Sequence, residues 1–152
     1  MVAMTEKILA QRKFTIDASQ ERVWNLLGKV IFDSLPGLER IQIKDQDRFS
    51  ALFRVKVGFI TLNMDVNAEM VDISPPQSLA VVLRMKGVGG MFRLNQRVSF
   101  ALSSVNHGKT AVTSKALGEK LGLLFRIMFM RKAKSFAHDI FRSIEEHLKQ
   151  LA

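Results

Sequence analysis

Residues 60–70, ITLNMDVNAEM, decide the class of this chain. Ile60, Leu62, Met64, Val66, Ala68 and Met70 alternate with Thr61, Asn63, Asp65, Asn67 and Glu69 without exception. A period of two marks a strand with one buried and one wet face. The pattern extends in both directions. Upstream, Phe49, Ala51, Phe53, Val55 and Val57 alternate with Arg48, Ser50, Leu52, Arg54 and Lys56, and Gly58 turns the chain. Downstream, Pro75-Pro76 closes the strand, and Leu79 to Met85, Phe92 to Leu102 and Thr110 to Leu117 follow. They are joined through Gly87-Val88-Gly89-Gly90 and through the hairpin turn Asn106-His107-Gly108-Lys109. Leu38 to Lys44, turned by Asp45-Gln46-Asp47, and Glu6 to Ile16 at the start bring the total to about six or seven strands. Strands joined by such short turns pair antiparallel.

The helical signals lie outside this block. In the first strand Ile8, Ala10, Phe14 and Ile16 share a parity that Arg12 interrupts. Asp17 offers a capping oxygen, with Gln20 three residues on, which predicts a helix from Ser19 to about Leu27 with Val23, Trp24 and Leu27 on one face. Gly28 predicts a break, and a second short helix from Val30 to Leu35 stops at Pro36-Gly37. From Leu121 to Leu151 the pattern predicts one long helix. Its stripe is Phe129, Ala133, Phe136, Ala137, Ile140, Phe141, Ile144, Leu148 and Leu151, and at 1.5 Å per residue it reaches roughly 45 Å.

Length and composition narrow the class further. With 152 residues, 47% hydrophobic and 24% charged, the chain reads as one globular domain over residues 1–152. The absence of cysteine removes disulfide scaffolds, zinc ribbons and thiol nucleophiles, and fits a reducing compartment. A formal charge of +9 favours anionic partners. The first residues carry no apolar leader. The longest apolar run, Leu121 to Met130, is interrupted by Gly122 and Arg126 and falls short of the ~20 residues a span needs. The expected location is cytoplasmic, with peripheral attachment at the inner face of the membrane.

These elements make an α+β domain in which one sheet has a continuous apolar face and only the terminal helix is long enough to cover it. A twisted sheet curving around a straight helix leaves a space between them, and such a space is concave and apolar. Parity and position assign Phe53, Met64, Met85, Gln96, Phe125 and Phe129 to its lining. Gln96 is the one polar residue in its inward row. It is either a hydrogen-bonding hook for a ligand carbonyl or hydroxyl, or a core amide satisfied by backbone. Met64, Met70, Met85, Met128 and Met130 suit a pocket for variable apolar ligands as well as ordinary core filling.

Leu123 to Met130 is apolar almost all round. Either the helix is buried on two sides, or Leu123, Leu124 and Met130 with Lys120, Arg131, Lys132 and Lys134 form an interfacial surface for an anionic membrane or a partner. The outward sheet face is basic but offers no aromatic side chains for base stacking, which disfavours nucleic acid. Gly87 to Gly90 lacks the spacing and the strand-to-helix context of a nucleotide loop. His138 and His147 are nine residues apart, which is not metal-ligand spacing, so no metal is expected. Asp33 and Glu39 have no visible base or oxyanion partner, and no catalytic residue or cofactor is assigned.

At this point the chain resembles a known group, the helix-grip superfamily of START-related lipid-transfer domains, Bet v 1-like allergens and polyketide cyclases. Within it the sequence is most similar to the carbon monoxide dehydrogenase CoxG family. The resemblance rests on Phe14-Thr15-Ile16-Asp17-Ala18 before Val23-Trp24-Asn25-Leu26-Leu27, on Leu35-Pro36-Gly37-Leu38-Glu39, and on Phe53-Arg54-Val55-Lys56-Val57-Gly58. Gly108-Lys109-Thr110 and the Gly118 to Gly122 segment extend it toward the terminal helix. It implies a sheet of six to seven strands wrapped on the terminal helix, with two short helices after the first strand. It also implies a non-catalytic accessory protein that carries a lipid, isoprenoid or quinone and aids membrane recruitment of a molybdenum hydroxylase-type enzyme. A cyclase- or hydratase-type enzyme using the same cavity remains the second reading.

Overall fold

In a computed structural model, residues 7–35, 38–57, 59–87, 92–119 and 123–152 are described. Side chains of the terminal helix are described from Met130 onward. The order is β1 (Lys7–Ile16), α1 (Gln20–Asp33), β2 (Leu38–Ile43), β3 (Arg48–Val57), β4 (Ile60–Ser74), β5 (Ser78–Gly87), β6 (Phe92–Asn106), β7 (Lys109–Glu119) and α2 (Leu123–Leu151). The strands form one antiparallel sheet in the order β1-β7-β6-β5-β4-β3-β2. Every neighbour in the run from β2 to β7 is also a neighbour in sequence, as expected of a meander; β1 joins at the β7 edge and places α1 and α2 on one face. No described helix is both long and apolar enough to cross a membrane.

Three local expectations are corrected. Gly28 does not break the first helix: Gln20–Asp33 is continuous. A mid-helix glycine costs only about 1 kcal/mol, and burial of Val23, Leu27 and Val30 on one face outweighs it. The cap is Ser19, whose Oγ accepts from the Arg22 N–H at 3.2 Å, not Asp17. The helix starts two residues beyond Asp17's reach, and Gln20 instead donates to the carbonyls of Pro76 and Leu102 at 3.0 and 3.3 Å. In β1, a register shift between Ile8 and Ala10 turns Ile8 outward and gives its place to Leu9, which is 1% exposed.

Arg12, which interrupts the β1 alternation, does point toward α2. Its Nε donates to Glu145 at 2.6 Å, and Lys149 donates to the other carboxylate oxygen at 2.7 Å. Burial pushes the Glu145 carboxyl up, but the hydrogen bonds from Lys149 and Arg12 overcome it, and its pKa lies below the ordinary glutamate value. A depressed carboxylate pKa adds stability above the unfolded-state value, and that stability is lost as pH falls through the folded value. Glu145→Gln is therefore expected to cost about 1 kcal/mol at pH 7, because Arg12 is partly solvated. The difference from the wild type should shrink from about pH 5 downward. Urea melts across that range measure it. A pH-independent difference would mean that packing, not charge, holds this contact.

The core has two parts. A larger one gathers Leu9, Ile16, Leu27, Phe100, Phe141 and Leu148 where α1, α2 and β1 meet the sheet. A smaller one contains Phe53, Met64, Val66, Met85 and Leu94, with Ala133 of α2. Phe100 meets Phe141 edge-on at 6.0 Å, and Phe53 meets Phe136 at 5.0 Å. These aromatic contacts hold α2 to the sheet on both sides of a space between them.

Candidate ligand cavity

That space is a cavity of about 300 Å³ between the sheet and α2. Its floor includes one cross-strand row of the sheet. Phe49 of β3 pairs with Ala68 of β4, Ala68 with Leu83 of β5, and Leu83 with Gln96 of β6. All four side chains point to the same face and border the cavity. The roof is the α2 stripe Phe136, Ala137, Ile140, Phe141 and Ile144. The far wall is the C-terminal half of α1, with Gly28, Ile31 and Phe32.

Among the described residues, the exposed ones that border the cavity lie on α1 and on the β2–β3 hairpin: Gly28 and Phe32 on one side, Ile43 and Asp45 to Arg48 on the other. The cavity therefore has a mouth between these elements. Phe32 and Phe49 meet across it, with ring centroids 5.7 Å apart. A Cβ at Gly28 would touch nothing within 4 Å, so the glycine leaves the rim open. The hairpin is a compact polar turn. Asp45 accepts from the Arg48 guanidinium at 2.9 Å and from the Asp47 N–H at 2.9 Å, and the Arg48 bond is the main cause holding the Asp45 carboxyl below its ordinary value. Glu69 of β4 stands beside this turn and pairs with Arg84 at 3.9 Å, so the rim carries Asp45, Asp47 and Glu69 with Arg48 and Arg84 as their cations.

Inside, Gln96 is the one fully buried polar side chain that borders the cavity among the described residues, at 6% exposure. Its Nε2 donates to the Met85 thioether sulfur at 3.8 Å, a weak acceptor. Among the described residues this weak bond is the one hydrogen bond found for the amide.

Of the residues assigned from the sequence, Phe53, Met85 and Gln96 border the cavity. Met64 is buried, but it packs beneath Gly87, where an added Cβ would come within 3.2 Å of its Cγ. The side chains of Phe125 and Phe129 lie outside the described residues. For the second surface, Lys120 and the side chains of Leu123 and Leu124 also lie outside them. Met130 is half-buried against the larger core. Arg131, Lys132 and Lys134 are exposed and form no ion pair with a described residue. The sequence pattern does not assign the α1 and hairpin walls. Their one signal is that Phe49 shares the inward parity of Phe53.

The histidines do not converge on the cavity. His147 sits 2.8 Å from the carbonyl oxygen of Ser143, which places a hydrogen on Nδ1, and the buried Ser34 hydroxyl lies beside it. It ties the end of α1 to α2. Among the described residues no three His, Cys, Asp or Glu side chains gather closely enough to hold a metal ion.

The profile of the carbon monoxide dehydrogenase CoxG family matches residues 13–151. The chain belongs to that family. No curated protein matches the sequence. Among solved structures, a conserved protein from Geobacillus kaustophilus superposes with a TM-score of 0.70 at 19% identity, over 92% of this chain and 94% of that one. Norcoclaurine synthase from Thalictrum flavum gives 0.65 at 13% identity, over 94% and 93%. A START superfamily protein from Mycobacterium smegmatis gives 0.62 at 11% identity, over 94% and 98%. At these identities the likeness establishes the fold, which is the START-like helix-grip expected from the sequence.

Proposed function

We propose that this CoxG family member is a non-catalytic carrier of an apolar small molecule, a lipid, isoprenoid or quinone, serving a redox enzyme of the carbon monoxide dehydrogenase type. The observation that carries this reading is the 300 Å³ cavity with a single buried amide. Sites that bind apolar ligands are concave and mostly hydrophobic, with few fixed polar groups. Catalysis needs more. General acid–base or nucleophilic work requires at least a positioned titratable pair, and here every carboxylate bordering the cavity stands at the solvent-facing rim. That weighs against the cyclase- or hydratase-type alternative, although norcoclaurine synthase shares the fold.

Native mass spectrometry of the purified protein tests the carrier. A co-purified neutral apolar molecule, or uptake of an added one at one per chain, is expected. Failure to take up any apolar probe removes the reading.

A carrier must also meet the place where its cargo is stored. Exposed Arg131, Lys132 and Lys134 on α2 supply a cationic cluster, and each such charge contributes on the order of 1 kcal/mol near an anionic leaflet. Co-sedimentation with phosphatidylglycerol vesicles at low salt is expected, fading at higher salt as charges are screened over roughly 8–10 Å. Changing all three residues to Glu should abolish it with the fold intact. Vesicles ignored at low salt would reassign these cations to a protein partner.

A further inference from the structure

The carrier reading leaves open which way round a ligand lies. The cavity answers this because its polar group and the mouth formed by described residues stand at opposite ends of one row of side chains. Phe49 is at the mouth, Ala68 and Leu83 follow, and Gln96 is at the inner end. Three strand spacings separate Phe49 from Gln96, about 14 Å along the sheet.

Each end selects a different chemistry. At Gln96 an amide offers both a donor and an acceptor and is engaged only by a thioether sulfur among the described residues. An oxygen-bearing group placed there gains a hydrogen bond inside an apolar enclosure, where such bonds count most. At the mouth the inner lining is apolar, with Phe32, Ile43 and Phe49, and Ile43 is 74% exposed. Around them stand the carboxylates of Asp45, Asp47 and Glu69, of which Asp45 is paired with Arg48 at 2.7 Å and Glu69 with Arg84 at 3.9 Å. A ligand lying tail-inward would set its head among these carboxylates. An anionic head, such as a fatty acid carboxylate or a phospholipid phosphate, would find no unpaired cation among the described residues lining the mouth.

Resting on the carrier reading, we propose that the cavity takes a neutral amphiphile head first. A ring-sized head bearing a hydroxyl or oxo group sits against Gln96, and its apolar tail runs out between α1 and the β2–β3 hairpin. A cavity of about 300 Å³ is at the small end of the range for ligand pockets, roughly 300–1,000 Å³, which suits a ring with its tail emerging at the mouth. The exposed Ile43 and Phe32 then have a role, since they cover the emerging tail.

Three probes test this: 4-decylphenol, decylbenzene and decanoate, titrated by calorimetry into the full chain. The phenol is neutral at pH 7. It should bind about fivefold to tenfold more tightly than decylbenzene, the value of one buried hydrogen bond, and decanoate should bind weakest. Gln96→Leu should erase the phenol's advantage over decylbenzene. Direction is read separately with a decylphenol that carries a nitroxide at the far end of its chain. Paramagnetic broadening is expected at the amides of Phe32 and of residues 43–49. Broadening centred on residues 94–98, or decanoate binding as well as the phenol, would overturn head-first binding while leaving the carrier standing. If none of the three probes binds, the carrier reading itself falls.

Discussion

Phe141→Ala is expected to lower the unfolding free energy by about 3–5 kcal/mol, the upper part of the range for large-to-small core changes. Phe141 is 1% exposed, meets Phe100 edge-on at 6.0 Å, and is one of the rings joining α2 to the sheet. The size of the loss follows from the neighbourhood. The cost of a truncation grows with the hole that stays open, and this ring already borders a cavity of about 300 Å³. Neighbouring side chains have little to collapse onto, so nearly all of the removed volume is added to the existing space. The aromatic pair itself contributes about 0.5–1.5 kcal/mol beyond burial. Urea denaturation with an unchanged m-value is the measurement. A loss under 1 kcal/mol would mean that α2 is anchored elsewhere and that the Phe100 contact is incidental.

Much of this architecture is legible because alternation is a direct record of burial. Apart from Leu52, β3 and the part of β4 up to Met70 obey it, and Phe49, Phe53, Val66 and Ala68 face inward as their parity requires. Legibility fails where the backbone departs from the regular pleat. At Asp72, φ is +51° and the β4–β5 register shifts between Val71 and Ser74, so β4 runs to Ser74 after its alternation stops. The shift in β1 exchanges Ile8 for Leu9 in the same way. Arg12 looks like noise in the pattern because its partner, Glu145, lies 133 residues away.

The site is half legible for a related reason. Parity identifies which sheet residues face the helix, and it picks out Phe53, Met85 and Gln96. It does not say which part of a long helix faces an empty space and which part packs tightly. The residues from Leu123 to Met130 stand out because they are apolar all round, yet the described roof is the ordinary stripe from Phe136 to Ile144. The mouth leaves no periodic trace. Asp45-Gln46-Asp47 reads as a turn and is one, but its approach to Phe32 of α1 is a tertiary fact. Gly28 has the composition of a helix breaker, whereas the structure places it in an intact helix on the open rim.

Ala68→Phe is expected to abolish ligand binding, at least about 100-fold for 4-decylphenol, without a loss of stability. Ala68 is 4% exposed and stands midway in the row from Phe49 to Gln96, so a ring there blocks the path from the mouth to the amide. Introducing a large side chain into a packed core usually costs about 1–3 kcal/mol through strain. Here the space already exists, and each buried methylene-sized group contributes about 0.8 kcal/mol, which offsets the rotamer entropy of fixing the ring. The melting temperature should hold or rise. Ala10→Phe is the control. Ala10 is equally buried, at 3% exposure, and belongs to the same larger core as Ala68, but it does not border the cavity. That change should show the usual loss of about 1–3 kcal/mol, so two alanines that burial alone cannot distinguish would respond with opposite signs. If Ala68→Phe destabilises as much as Ala10→Phe, the space beneath α2 is not available to an added ring, and the apolar cargo would have to bind somewhere else on the protein.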